Sequence, residues 1–122
     1  MQHSELTEKI ISCAFTVYNK MGFGFLESVY EKCMLIELAE AGLNFESQKK
    51  LMVHYKGQIV GEFIADIIVN NTVVVELKSV TKIVKAHEIQ LVNYLVGTNK
   101  PVGLILNFAK DKVQIKRKIK AL

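Results

Sequence analysis

Two acids and a lysine carry the chemistry this sequence offers. Asp66 lies in one apolar run of β type, Glu76 in the next and Lys78 two residues further on, all within the stretch DIIVNNTVVVELK. Successive side chains of a strand point to opposite faces, so Glu76 and Lys78 share one face. Charges set among Val, Ile and Leu are costly to bury, which sets them apart from surface decoration. Gathered in one pocket, two carboxylates and an ammonium could hold a hard cation such as Mg²⁺ or Mn²⁺, whose preferred ligands are oxygens.

Convergence depends on the turn between the two runs. Asn tolerates the left-handed conformation, so Asn70-Asn71 marks that turn. A two-residue loop would pair Val69 with Thr72 and set Asp66 opposite Val75. Cross-strand partners share a face, so Glu76 would then point away from Asp66. The two acids meet only if the register moves by one residue, through a three-residue loop or a bulge around Asn70 to Thr72. That shift is the expectation.

The supporting elements follow from periodicity. Ile10, Ile11, Ala14, Phe15, Tyr18 and Met21 recur at helical spacing, predicting a helix over 4–21 with Ser4 as its N-cap and Gly22 as its stop. After the flexible joint Gly22-Phe23-Gly24-Phe25, which carries two bulky rings, a second helix is expected over 26–41. Leu26, Val29, Tyr30, Cys33, Ile36 and Leu38 should turn largely inward, and Gly42 should close it. Strand character begins near Lys49, Lys56-Gly57 signals a hairpin, and 59–69 and 72–78 read as strands. A helix over 85–96, closed by Gly97 and Pro101, is followed by an apolar strand over 102–108. A turn over 110–112 and a last strand over 113–119 complete the order ααβββαββ, an α/β chain with a mixed sheet flanked by helices and a single domain over 1–122.

Composition narrows the classes. A chain of 122 residues, half of them apolar and with one proline, can build one compact core. No apolar run approaches the roughly 18 residues of a membrane span. The start MQHSELTEKI lacks a basic segment followed by an apolar core, so no signal peptide is expected and a cytoplasmic location fits. Cys13 and Cys33 fall at apolar helix positions and read as buried packing. Residues 1–77 hold six Lys against ten acids, whereas residues 78–122 hold ten Lys and Arg against two. Such a basic half suits a polyanion. Lys49, Lys50, Lys116, Arg117, Lys118 and Lys120 are candidate phosphate-backbone contacts, and none of them reads bases.

Taken together these motifs resemble the PD-(D/E)XK nuclease superfamily. Asp66, nine residues and then Glu76-Leu77-Lys78 match its metal-binding signature. Gly24 to Tyr30 reads GxxExxY, the pattern that names one family of small proteins within it. His87 to Leu95, with Gln90 and Tyr94, is similar to the QxxxY helix of the exonuclease-like branch, and GLILNF (103–108) and KRKI (116–119) also resemble the GxxExxY family. Ala65 stands where the signature has proline.

The resemblance implies a nuclease-like fold and a Mg²⁺- or Mn²⁺-dependent site acting on DNA, with RNA as second choice. Asp66 and Glu76 would be the principal ligands, the Leu77 carbonyl a further one, and Glu27 a third acid or a ligand through water. Lys78 would orient or help deprotonate the attacking water, and Gln90 would contact phosphate or water. Tyr30 could brace Glu27 or simply pack, and His87 and Tyr94 share the face of Gln90. Two other readings stand beside this one: a non-catalytic nucleic-acid-binding or accessory module, and a buried salt-bridge cluster of Asp66, Glu76 and Lys78. A homodimer is expected as a way for so small a chain to reach its substrate.

Overall fold

The computed structural model describes residues 2–120. Its elements are α1 (Ser4–Met21), α2 (Glu27–Glu40), β1 (Phe45–Tyr55), β2 (Gln58–Val69), β3 (Val73–Lys78), α3 (Lys85–Thr98), β4 (Val102–Phe108) and β5 (Val113–Ile119). The expected order ααβββαββ holds. The five strands form one mixed sheet in sequence order. β1, β2 and β3 run antiparallel, α3 carries the chain across so that β3 and β4 run parallel, and β5 returns antiparallel to β4.

Helices cover both faces. α1 offers Thr7, Ile10, Cys13, Ala14 and Val17 and α2 offers Tyr30, Met34 and Leu38, residues spaced to form one stripe per helix. Those stripes pack on Ile67, Val69, Val73, Val75 and Leu77 and on the even-numbered residues of β4. α3 covers the other face, with Leu91 and Leu95 against Leu51, Phe63, Ala65, Ile68, Val74 and Ile105. Covered twice, β4 is buried along all seven residues, apolar but for Asn107.

Asn70, Asn71 and Thr72 form the turn that decides register. Asn70 and Asn71 both adopt left-handed backbone, at φ 51° and 52°. The Asn70 Oδ1 accepts the Asn44 N–H at 2.9 Å, and the Thr72 hydroxyl donates to the Asn70 carbonyl at 2.8 Å. The loop therefore has three residues, and Val69 pairs with Val73, Ile68 with Val74 and Ile67 with Val75. One step further along that register sets Asp66 opposite Glu76. The shift expected from the sequence is present.

Several local expectations need correction. His3, in left-handed backbone, precedes α1 as its N-cap, and Ser4 is already helical. β1 starts at Phe45 rather than near Lys49, because Phe45, Glu46 and Ser47 pair with Val69, Ile68 and Ile67. α3 continues two residues past Val96, to Thr98, and Asn99 closes it with left-handed backbone. Leu26 and Ile36 face solvent, 74 % and 59 % exposed. Both cysteines are free, Cys13 buried and Cys33 half-buried. Among the described residues no helix is long and apolar enough to cross a membrane.

Candidate active site

β2 parts from β3 at Asp66. Phe63 and Ala65 face α3, yet Ile67 faces α1 and α2, so the alternation of β2 slips at the residue between them. On β1 the matching position is Gln48, which holds left-handed backbone (φ 50°) between the pairs Ser47–Ile67 and Lys49–Ala65. A non-glycine residue there costs about 1 kcal/mol or more. The Gln48 amide donates to Glu31 on α2 at 2.8 Å, which anchors the kink. Where the backbone ladder ends, the Asp66 Oδ2 accepts the Leu77 N–H at 2.8 Å. The carboxylate thus replaces a strand carbonyl and is held at the fork between β2 and β3.

Glu76 is the group under most electrostatic stress. Its Oε1 is buried and has no hydrogen-bond partner among the described residues. Burial pushes its carboxyl up to about 9, helped by the charge of Asp66, a hydrogen bond with Asp66 and the charge of Glu27, while Lys78 pulls it down. Among the described residues the ion pairs are Lys9–Glu5, Lys49–Glu46, Lys50–Glu62 and Lys118–Glu88. None joins Asp66, Glu76 and Lys78, so the salt-bridge cluster is not formed. A buried carboxyl with a bare oxygen beside a second carboxylate is a hard, oxygen-only donor set, which suits Mg²⁺ or Mn²⁺.

The fork opens into a cavity of about 370 Å³. Glu62, Phe63 and Ile64 form one wall, Glu76, Lys78 and Ile105 the floor, and His87, Gln90, Leu91 and Tyr94 of α3 the other wall. Gln90 Nε2 donates to the Tyr94 hydroxyl at 3.4 Å, and the Tyr94 ring stacks on Phe63 with centroids 3.8 Å apart. His87 works on the backbone, its Nδ1 accepting the Val84 N–H at 3.1 Å at the start of α3. Leu77 points the other way, into the core beneath α1 and α2.

Glu27, in the first turn of α2, is exposed, and its charge still reaches Glu76. Glu31, one turn on, feels the charge of Asp66, and its carboxyl is raised mainly by burial. Sequence reasoning passed over Glu31, although its i, i+4 spacing from Glu27 on one helix face was available. Among the described residues, no three His, Cys, Asp or Glu side chains gather closely enough to hold a metal ion. The structure brings Asp66 and Glu76 together and leaves Glu27 and Glu31 further out. Tyr30 does not brace Glu27. Fully buried, it stacks on Phe108 at 4.2 Å, donates its hydroxyl hydrogen to the Gly22 carbonyl at 2.6 Å and accepts the Phe25 N–H at 3.3 Å. It therefore fixes the loop that delivers Glu27.

The basic residues are dispersed. Lys116 pairs with Ile105, which pairs with Glu76, so it stands in the same row on the face of α3. Lys118 is bound to Glu88 at 2.6 Å, and Lys120 donates to the Asn99 side chain at 2.6 Å. Arg117 reaches α1 on the opposite face, donating to the Thr7 hydroxyl at 3.3 Å and to the Gln2 carbonyl. Lys49 and Lys50 pair with Glu46 and Glu62.

Asn107, read in the sequence as part of an apolar strand, ties down the segment after Lys78. It is fully buried and sits beside Lys78 in the parallel register. Its Oδ1 accepts the Val80 N–H at 2.9 Å, and its Nδ2 donates to the Val80 carbonyl at 2.9 Å and to Gln114 at 3.0 Å. Asn107→Ala should cost about 2–4 kcal/mol, because it orphans both Val80 groups. Urea denaturation checks this; a loss under about 0.5 kcal/mol would show that the clamp is idle.

Three comparisons bear on this arrangement. The family model of the PD-(D/E)XK nuclease superfamily matches residues 4–118. Among solved structures, the crystal structure of SSO0001 superposes with a TM-score of 0.63 at 21 % identity, covering 98 % of this chain and 60 % of the other. At that identity the likeness speaks for the fold, and this chain spans about 60 % of the length of SSO0001. No curated protein matches the sequence.

Proposed function

We propose that this chain, which belongs to the PD-(D/E)XK nuclease superfamily, is a Mg²⁺- or Mn²⁺-dependent nuclease that hydrolyses phosphodiester bonds in DNA. The observation that carries this reading is the buried Glu76 carboxyl with an unpartnered oxygen, set beside Asp66 on the floor of an open cleft. Perturbed acids of this kind concentrate at functional sites. In this reading Asp66 and Glu76 hold the cation, with Glu27 acting from further out. Glu76 would hold it as the carboxylate, its proton passing to solvent. A bound divalent cation lowers the pKa of its water and neutralises charge on the phosphate.

Lys78 offers its ammonium to the phosphate or to the attacking water from the same cleft. Gln90, linked to Tyr94, offers an amide from the α3 wall. Lys116 extends the positive face one row further along the sheet. Within the superfamily we assign the chain to the GxxExxY group on Gly24, Glu27 and Tyr30. The same reading takes residues 1–122 as one domain, a cytoplasmic location and a homodimer, for which the exposed Ile89 and Val96 of α3 offer an apolar face.

The test incubates the protein with circular and linear, single- and double-stranded DNA, and with RNA, in Mn²⁺ or Mg²⁺. Cleavage should occur and should fall about 100-fold or more in Lys78→Ala. A second reading, a nucleic-acid-binding module without catalysis, is favoured by the lack of a three-acid group among the described residues. Salt-sensitive binding with no cleavage would select it.

A further inference from the structure

The loop between α1 and α2 exposes two aromatic rings, Phe23 and Phe25, the second of which meets the buried Tyr30 ring edge-on at 6.0 Å. Phe23 is 52 % and Phe25 41 % exposed, followed by Leu26 at 74 %. Hydrogen bonds at both ends hold the loop that presents them. Gly22 and Gly24 flank Phe23 with φ of 75° and 109°, backbone that L side chains rarely adopt. Tyr30 grips both ends of the loop through the Gly22 carbonyl and the Phe25 N–H. A third tie is functional in its placement: the Ser79 hydroxyl donates to the Phe25 carbonyl at 3.3 Å, and Ser79 directly follows Lys78. The Phe25 backbone is therefore tied to the end of β3, one residue past Lys78, whose side chain lines the cleft. Exposed Lys82 lies in the same segment after β3.

We propose that Phe23 and Phe25 form a stacking platform for unpaired DNA bases, so that the site takes single-stranded DNA or a single-stranded tail rather than an intact duplex. This rests on the nuclease reading of the cleft. Each base has a π-face that is hidden in a duplex and free in a single strand, and an aromatic ring beside a phosphate site exploits that difference without reading sequence. Aliphatic side chains would cover a protein partner equally well. A pair of exposed rings on a loop tied to the residue after Lys78 fits a base better.

The test uses Phe23, whose ring is not among the stacked pairs of the core. Wild type, Phe23→Ala, Phe23→Leu and Phe23→Trp are compared with Mn²⁺ on a single-stranded oligonucleotide carrying 2-aminopurine, on the same strand with abasic positions, and on a blunt duplex. Phe23→Ala and Phe23→Leu should lose about tenfold or more in cleavage of the single strand and lose the quenching of 2-aminopurine, and Phe23→Trp should restore both. Abasic substitution should remove the difference between variants. Rescue by Leu, or an equal loss on single strand and duplex, would overturn the platform and leave the nuclease reading standing. Quenching that depends on the ring, in a protein that cleaves nothing, would support the platform and sink the catalytic reading. A variant that changes sedimentation and no oligonucleotide reading would mark the loop as a contact between copies, contrary to the proposal.

Discussion

Asp66→Asn will lower Mn²⁺ affinity at least about 100-fold while leaving the fold intact. The asparagine Oδ1 can still accept the Leu77 N–H that Asp66 Oδ2 accepts at 2.8 Å, so the end of the β2–β3 ladder keeps its anchor. What disappears is one of two anionic oxygen donors and the charge that, after burial, does most to raise the Glu76 carboxyl. The Glu76 carboxyl should then titrate closer to its ordinary range, with burial and the charge of Glu27 left to raise it. Asp66→Ala differs in an instructive way. It leaves the Leu77 N–H without its acceptor and should cost a further 1–3 kcal/mol or so in stability. Calorimetry with Mn²⁺ and urea denaturation of both variants separate the electrostatic role from the structural one. Unchanged affinity in Asp66→Asn would remove Asp66 from the site.

Glu76→Gln should stabilise the metal-free protein, and increasingly so as pH rises. A carboxyl whose folded pKa lies above its unfolded value keeps its stability below the unfolded value, about 4.3, and loses it as pH rises through the folded one. Here the folded value is about 9. Wild type should therefore lose about 1.4 kcal/mol per pH unit across that window relative to Glu76→Gln, or about 2–4 kcal/mol by pH 7. Glutamine can still donate a hydrogen bond to Asp66 and carries no proton to lose. Denaturation from pH 5 to 9 with a chelator present measures the difference, in which the other titrating groups cancel. Parallel stability curves would show that Glu76 is not stressed. Added Mn²⁺ should reverse the order, stabilising wild type by mass action and leaving the variant unmoved.

The order of elements and the β2–β3 register were legible in the sequence, and several local details of the frame were not. Asp66 and Glu76 imposed the register, since only a third loop residue lets them meet, and Thr72 supplies it. Lys56-Gly57 likewise fixed the hairpin joining Tyr55 to Gln58. Phe45 to Gln48 was illegible because its strand state comes from pairing with Ile67 to Val69 rather than from its own residue types. The kink at Gln48 and its tie to Glu31 depend on two residues 17 apart, neither of which carries a local signal. Tyr30 and Asn107 were placed correctly in their elements, yet their partners, Gly22 and Val80, belong to loops whose path no periodicity describes. Leu26 and Ile36 continue an apolar pattern that the packing does not use.

Anomalous diffraction from a crystal equilibrated with Mn²⁺ tests most directly whether the Asp66–Glu76 pair is a cation site. A single peak about 2.0–2.6 Å from a carboxylate oxygen of each residue, lost in Asp66→Asn, is the predicted result. A crystal in which Mn²⁺ binds elsewhere, or in which Glu76 keeps its hydrogen bond to Asp66 with no metal beside it, would contradict it.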